Sequence, residues 1–221
     1  LTVTLGHAYG MVELTEINLR QQRETEAQYG LTGNSSMMQT LFRGIQKAAE
    51  VDVPVLITGE IGTGKEQAAR AIHENSSRAA APFVVVNCEA LVVDLIQSEL
   101  FGHEKGAFAG AGERRIGQIE AAAGGTLFLD EVGNLGPEVQ ANLLRFLEEK
   151  KIRRLGGTKP IPANVRVIAA THTKIEQAMR DGRFREDLFY RLNVLHLRAP
   201  TLRERRGDVE LLARYFFNKF S

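Results

Sequence analysis

The strongest constraint on the fold is an alternation of short apolar runs with helical patterns along the chain. The runs "PVLITGE", "FVVVNCE", "TLFLDEV" and "VRVIAATH" are almost entirely apolar until their last residues. Such runs are typical of strands in a parallel sheet that is covered on both faces. Helices are predicted at 65–75, 91–100, 136–150 and 174–181, after a first helix that Ser35 or Ser36 caps and that continues to about Glu50. The alternation predicts a wound α/β domain with helices flanking the sheet.

The composition excludes several other classes of protein. The chain has 221 residues, of which 43% are hydrophobic and 25% charged, as is ordinary for a soluble globular protein. A net charge of +1 provides no general basic field for nucleic acid. We find no signal peptide and no apolar run long enough to span a bilayer, so no membrane partner is expected. Cys88 is the only cysteine, which excludes an internal disulfide and predicts a cytoplasmic protein with a buried, inert thiol.

A glycine-rich segment, "GEIGTGKE", lies between the first apolar run and a predicted helix. Its backbone N–H groups can converge on phosphate oxygens, and the helix N-terminus and Lys65 add positive charge. The pattern matches the phosphate-binding loop of P-loop NTPases except at Glu66, where that loop has the Ser or Thr that binds Mg²⁺. The alternative is a glycine-rich turn with an exposed lysine. The candidate nucleotide-binding residues are Gly59, Glu60, Ile61, Gly62, Thr63, Gly64, Lys65 and Glu66.

Two adjacent carboxylates, Asp130 and Glu131, end the apolar run "TLFLDEV". The carboxyl ends of parallel strands meet at one edge of the sheet, so this pair is expected near the phosphate loop. Asp130 would hold Mg²⁺ through water, and Glu131 would polarise the water that attacks the γ-phosphate. Two solvated acids at a strand end are the alternative. The two motifs together predict an NTPase.

With "QSELFGHEKGAFAGA" between them, these motifs resemble the AAA+ domain of bacterial enhancer-binding proteins, the sigma-54-dependent activators of the NtrC family. The resemblance runs from about Gly33 to the end of the chain and includes "VNCEAL", "NLLRFLEE", "FREDLFYRLNV" and "LRERRGDV". It implies an AAA+ P-loop NTPase that binds and hydrolyses ATP with Mg²⁺, and in this family Glu66 is a normal loop residue. It also implies a ring-shaped homo-oligomer, with ATP at the subunit interfaces, that acts on a sigma factor of RNA polymerase.

The resemblance assigns roles to four further residues. Asn87 matches the residue that restrains the catalytic glutamate and couples nucleotide state to movement. Arg185 and Arg191 match arginine fingers that reach the γ-phosphate bound to the neighbouring subunit, and an ion pair with an adjacent acid is the alternative for either. His172 stands at the sensor I position, where Asn is more usual. A histidine there can still hydrogen-bond near the γ-phosphate, and we interpret it as a tolerated substitution.

The segment from 106 to 111, here named the contact loop, corresponds to the family's GAFTGA loop, which docks on sigma-54. Phe108 would be the contacting aromatic residue, but Ala109 replaces the family's Thr and removes a hydroxyl donor and acceptor. Two interpretations stay open: weaker action on sigma-54, or membership of relatives of the VpsR type that activate sigma-70 polymerase, some in response to cyclic di-GMP. In the second, the nucleotide would set assembly with little hydrolysis. The loop residues are Gly106, Ala107, Phe108, Ala109, Gly110 and Ala111.

The resemblance also divides the chain into three parts. Residues 1–30 are predicted to be a linker helix from a missing receiver-like domain, with a disordered linker as the alternative. Residues 31–200 would form the AAA+ α/β subdomain, and 201–221 the start of a helical lid. DNA binding would belong to a domain absent from this chain.

Overall fold

A computed structural model describes residues 29–89 and 93–220, and its centre is a five-stranded sheet. Each neighbouring pair of strands is parallel. The five strands are β1 (Val55–Thr58), β2 (Phe83–Asn87), β5 (Thr126–Asp130), β8 (Arg166–Thr171) and β9 (Leu195–Arg198). Their order across the sheet is β2-β5-β8-β1-β9. Because all five run in the same direction, β1, β5 and β8 deliver the residues that follow them to one edge of the sheet.

Helices connect these strands and cover the sheet. They are α1 (Ser36–Glu50), α2 (Lys65–Glu74), α3 (Val93–Phe101), α4 (Gln118–Ala121), α5 (Pro137–Glu149), α6 (Ile175–Arg180), α7 (Glu186–Leu192) and α8 (Val209–Phe220). Two 3-10 helices, Val132–Asn134 and Leu202–Asp208, follow β5 and precede α8. The Ser35 hydroxyl accepts the Met38 N–H at the start of α1, which confirms the predicted cap.

Two short antiparallel pairs lie outside the main sheet. β3 (Gly102–His103) pairs with β4 (Arg115–Ile116), and the contact loop lies between them. β6 (Lys151–Ile152) pairs with β7 (Ile161–Pro162). Backbone hydrogen bonds join the two pairs, because the N–H of Glu104 donates to Leu155 and the N–H of Leu155 donates to Gly102. The base of the contact loop is therefore anchored to the segment between β6 and β7.

Apolar side chains bury both faces of the sheet. Along β5, Leu127 and Leu129 belong to the cluster that also contains residues of α3, α5, α6 and α7, whereas Phe128 belongs to the cluster with α1 and α2. Successive strand residues point to opposite faces, so an unbroken apolar run is the pattern that a doubly covered strand requires. Burial of a large side chain such as Phe128, which is fully inaccessible, contributes about 1.5–3 kcal/mol.

The four predicted strands and five predicted helices are all present, with ends within about two residues of the predictions. β9, the helices α4 and α7 and the four short strands outside the main sheet were not predicted, whereas α8 lies within the predicted lid segment 201–221. β9 forms the edge of the sheet and only one of its four residues is buried, so it lacks the apolar run that identified the other strands. The predicted linker helix falls almost wholly outside the described residues. None of the helices within those residues is long and apolar enough to cross a membrane.

Candidate nucleotide-binding site

The phosphate loop forms the turn between β1 and α2, as predicted. Gly62 and Gly64 have φ angles of 78° and 88°, in the left-handed region that favours glycine. A side chain at Gly59 would come within 2.7 Å of the Thr63 hydroxyl and 2.8 Å of the Ala199 carbonyl oxygen, so only glycine fits there. Lys65 is the first residue of α2, which places its backbone and charge where the helix begins.

The Lys65 ammonium lies beneath this turn with only 7% of its side chain exposed. It donates to the carbonyl oxygens of Gly59 at 3.0 Å and Glu60 at 3.4 Å. Its Nζ atom is also 3.1 Å from Oε1 of Glu131. The alternative of an exposed lysine in a simple turn is therefore wrong, and the two motifs predicted from the sequence meet at this ion pair.

Asp130 and Glu131 follow one another at the end of β5 but have different surroundings. Asp130 is half-buried and accepts the N–H of Glu131, and burial followed by the charge of Glu131 raises the pKa of Asp130. Glu131 has a φ of 55°, a left-handed conformation that is uncommon for a residue with a side chain. Such strain is retained where surrounding contacts hold the residue in place.

His172, which follows β8, supplies those contacts. Oε2 of Glu131 accepts hydrogen bonds from the His172 backbone N–H at 2.9 Å and from its ring Nδ1 at 2.6 Å. Burial raises the pKa of Glu131, but the bonds from His172 and Lys65 outweigh it, and the net pKa lies below its ordinary value. Glu131 is thus ionised at neutral pH. His172 was expected near the γ-phosphate, and its direct bond to Glu131 was not foreseen from the sequence.

Asn87 ends β2, in register with Asp130 on β5. Its side-chain oxygen accepts the N–H of Glu89 at 2.8 Å. The neighbouring Cys88 is buried, and burial raises the pKa of its thiol to about 12. This agrees with the predicted inert thiol. The role of Asn87 as a restraint on the catalytic glutamate stays a prediction.

A cleft of about 870 Å³ opens beside the phosphate loop. One wall is the loop itself, and the other consists of two segments that the sequence analysis did not assign to the site, 30–32 and 201–216. An ion pair of 2.7 Å between Arg203 and Glu60 connects the walls. The volume falls in the range of small-molecule sites. The motif "LRERRGDV" and the exposed aromatic residues of α8 were the available signals for the second wall.

The two predicted arginine fingers lie in or beside α7 at the surface. Arg185 donates to both carboxylate oxygens of Asp187, at 3.0 and 2.7 Å, and Arg191 lies 3.4 Å from Glu148. About half of each arginine side chain is exposed. Both arginines thus form surface ion pairs within the chain, and for Arg185 this is the alternative that the sequence left open. Exposure also leaves both side chains accessible to a neighbouring subunit.

In the contact loop, the ring of Phe108 packs edge-on against His103, with ring centroids 5.0 Å apart. Phe108 is still 41% exposed. Ala109 is also exposed. Beneath the loop, buried Arg154 binds both Glu104 and Glu120, and neither ion pair was foreseen from the sequence. The loop therefore displays an aromatic residue from an anchored base.

The side chains beside the phosphate loop are suited to the predicted Mg²⁺ site. Within 29–89 and 93–220, no cluster of three or more His, Cys, Asp or Glu side chains could hold a metal without further ligands. Mg²⁺ is commonly bound by one or two carboxylates together with water and substrate phosphates. The half-buried Asp130 beside the phosphate loop is suited to that mode of binding.

Comparisons with known proteins agree with this geometry. The family described as "Sigma-54 interaction domain" matches residues 31–198. The transcriptional regulatory protein ZraR of Klebsiella oxytoca is 46% identical over 221 residues, which cover 100% of this chain and 49% of ZraR. The DNA-binding transcriptional regulator NtrC of Escherichia coli K12 is 52% identical over 186 residues, covering 84% of this chain and 40% of NtrC. The chain thus spans about half the length of the curated relatives that it matches.

A solved structure extends the comparison to ligand binding. The crystal structure of NtrX from Brucella abortus in complex with ATP has a TM-score of 0.81 and 36% identity, over 95% of this chain and 46% of NtrX. The same protein also has a structure with ADP. The fold is that of an AAA+ P-loop NTPase, as predicted. The family match concerns sigma-54 and lends no support to the sigma-70 alternative.

Proposed function

Because the chain belongs to the sigma-54 interaction domain family of AAA+ ATPases, we propose that it is the ATP-hydrolysing module of a bacterial transcription activator that acts on sigma-54 RNA polymerase. The observation that carries this proposal is the buried pair of Lys65 and Glu131, at 3.1 Å between a phosphate loop and the end of β5. A cation for phosphates and a general base for water are the two groups that nucleotide hydrolysis most needs.

In the proposed reaction, the N–H groups of the phosphate loop and the Lys65 ammonium bind the β- and γ-phosphates. Asp130 would hold Mg²⁺, which supplies charge neutralisation at the phosphates. Glu131 accepts a proton from the attacking water.

A Glu131→Ala variant should bind ATP and release no phosphate, whereas Glu66→Ala, at an exposed position one residue beyond Lys65, should keep some hydrolysis. Equal phosphate release by native protein and Glu131→Ala would contradict the role of Glu131.

We propose further that Arg185 and Arg191 act on ATP bound to a neighbouring subunit, and that the protein forms a ring. Their exposure supports this, since a residue that acts across an interface must be accessible in the single subunit. A cation at the transferring phosphoryl group contributes roughly 10³–10⁵ in rate in well-studied NTPases. Hydrolysis per subunit should therefore fall as the protein is diluted.

A mixing experiment tests the arrangement. Lys65→Ala and Arg191→Ala should each be inactive alone, but a mixture should regain part of the native rate. In the mixed ring, some interfaces combine an intact Lys65 with an intact Arg191 from the next subunit. Arg183→Ala, which removes a more exposed arginine paired with Asp181, is the matched control and should be active. If Arg191→Ala alone hydrolyses ATP at the native rate, or if the mixture is as inactive as each variant, the assignment in trans is wrong.

We propose that the contact loop binds sigma-54 through Phe108. An exposed aromatic residue on an anchored loop is the type of residue that dominates binding energy at interfaces, where truncation commonly costs about 2–4 kcal/mol. The protein can be trapped with Mg·ADP and aluminium fluoride and tested for binding to purified sigma-54 by gel shift. Phe108→Ala should lose the complex, and Ala109→Thr should strengthen it by restoring a hydroxyl. If only Ala109→Thr binds, the native loop does not use this partner.

The remaining parts of the proposal concern regions beyond the site. Residues 31–200 would be the α/β subdomain, and 201–221 the start of a lid, which the position of 201–216 along the cleft supports. DNA binding and any receiver domain of a two-component system would lie outside this chain. A cytoplasmic location is consistent with a single buried cysteine and an RNA polymerase partner. A response to cyclic di-GMP belongs to the sigma-70 alternative and stays a prediction.

A further inference from the structure

The two oxygens of the Glu131 carboxylate have different partners. Oε1 lies 3.1 Å from the Lys65 ammonium. Oε2 receives the backbone N–H and the ring Nδ1 of His172. Only 8% of the Glu131 side chain is exposed, so these groups rather than water satisfy it. The carboxylate is therefore held between a lysine from the phosphate loop and a histidine 41 residues away in sequence.

The direction of the ring hydrogen bond follows from the charge of Glu131. An ionised carboxylate can only accept, so His172 must carry a proton on Nδ1 and donate it. The turn after Glu131 keeps this geometry. A side chain at Gly133 would come within 2.9 Å of the Thr171 hydroxyl oxygen and 3.1 Å of Thr173, so glycine lets the turn pack directly against the residues that flank His172.

In the same conformation, the Lys65 ammonium is already bound by groups of the protein. Its ammonium is bound to two carbonyl oxygens of the phosphate loop as well as to Glu131, and its side chain is 7% exposed. A phosphate that binds to the loop must draw this ammonium away from Glu131. The phosphate must also approach a carboxylate that His172 keeps in place, and like charges at short range repel.

We propose that His172 is a positioning residue that clamps Glu131 against Lys65, in a conformation that competes with nucleotide phosphate for the lysine ammonium. The inference rests on the proposed function, because the clamp has a role only if phosphate binds at Lys65. His172 acts through Glu131, and the prediction of a merely tolerated substitution did not include this role. Release of the clamp frees Oε1 for the attacking water after Lys65 has turned to the phosphates.

Competition of this kind predicts the direction in which nucleotide affinity changes when the clamp is weakened. When only a fraction of molecules is competent to bind, the apparent dissociation constant is the intrinsic one divided by that fraction. Loss of the His172 ring donor weakens the clamp and raises the competent fraction, so nucleotide should bind more tightly. One hydrogen bond to a charged group corresponds to roughly a 10- to 150-fold change in affinity. A residue that sensed only the γ-phosphate would behave differently, because its loss would weaken the binding of ATP and leave the binding of ADP unchanged.

The test is a double-mutant cycle read out by nucleotide affinity. The dissociation constants of Mg·ADP and Mg·ATPγS are measured by calorimetry for the native protein, His172→Leu, Glu131→Ala and the double variant. His172→Leu should bind Mg·ADP roughly 10- to 150-fold more tightly than the native protein. In the Glu131→Ala background the same substitution should change the affinity less than twofold. His172→Asn, which can place an amide N–H near the position of Nδ1, should restore most of the native value.

Each other outcome overturns the clamp. ADP affinity that is unchanged or weaker in a folded His172→Leu variant contradicts it, as does an effect of equal size without Glu131. Thermal melting of every variant establishes folding, and His172→Asn provides a second folded comparison if His172→Leu melts early. If neither the native protein nor Glu131→Ala binds nucleotide, the proposed function itself fails, and the clamp fails with it. If the native protein binds and only the cycle fails, the proposed function stands.

Discussion

Asp208 provides the sharpest test of how the second wall of the cleft is built. Asp208 is the last residue of the 3-10 helix Leu202–Asp208, and it is 1% exposed. One carboxylate oxygen accepts the N–H groups of Asn34 and Ser35, at 2.7 and 3.0 Å, and the other accepts the Ser35 hydroxyl at 2.8 Å. Asp208 thus joins the start of the predicted lid to the segment just before α1.

The expected loss of stability on substitution of Asp208 follows from these three hydrogen bonds. A hydrogen bond to a charged group contributes about 1.5–3 kcal/mol, but contributions within one cluster are not additive. Replacement by alanine also leaves two backbone N–H groups without their acceptor, so Asp208→Ala should lower the free energy of unfolding by about 3–5 kcal/mol. For a chain of this size that corresponds to a melting temperature lower by roughly 6–20 °C.

The assay is urea unfolding followed by circular dichroism, together with titration by Mg·ADP. Asp208→Asn keeps one acceptor oxygen and should lose about half as much stability. Glu210→Ala is the matched control, because this acid lies two residues further on and is 76% exposed in its pair with Arg214. Its loss should change stability by less than about 1 kcal/mol. Asp208→Ala should also weaken the binding of Mg·ADP, because the second wall of the cleft is no longer joined to the segment before α1. A loss of stability below about 1 kcal/mol would refute the reasoning.

Three further predictions concern other parts of the molecule. With a pKa of about 12, Cys88 has a thiolate fraction of only ~10⁻⁴ at pH 8, so a thiol reagent should label it only after urea unfolding; rapid labelling of the folded protein would contradict its burial. Burial lowers the pKa of His73, so this residue contributes stability that is full above about pH 6.5 and is lost as pH falls toward its folded pKa. His73→Gln should flatten that loss in urea unfolding between pH 8 and 5, whereas His196→Gln, at an exposed position, should not. Arg154→Ala leaves Glu120 without its partner and should increase tryptic cleavage at the basic residues that flank the contact loop; native resistance would show that other contacts hold the loop base.

Much of the fold could be predicted because it depends on local patterns. Three of the four apolar strands, β1, β5 and β8, are buried on both faces, and their unbroken apolar composition distinguishes them from helices and from half-exposed strands. β2 lies at the edge of the sheet with one of its five residues buried, but its apolar, β-branched run was enough to predict a strand. The phosphate loop could be predicted for a related reason: its glycines are required by the backbone conformation, and Gly62 and Gly64 indeed have positive φ angles. The resemblance carried by the ordered motifs added the family and ATP.

The elements that could not be predicted depend on partners distant in sequence. β9 is a strand because it pairs with β1, although its own residues do not form an apolar run. The bond between His172 and Glu131 forms because β5 and β8 are neighbours in the sheet and bring their ends to the same edge. Local composition therefore determined which segments form strands, helices and the phosphate loop, since each of these is specified by periodicity or by a backbone angle. Only the tertiary structure decided which side chains meet at Glu131, because the order of strands sets those distances and no local pattern encodes it.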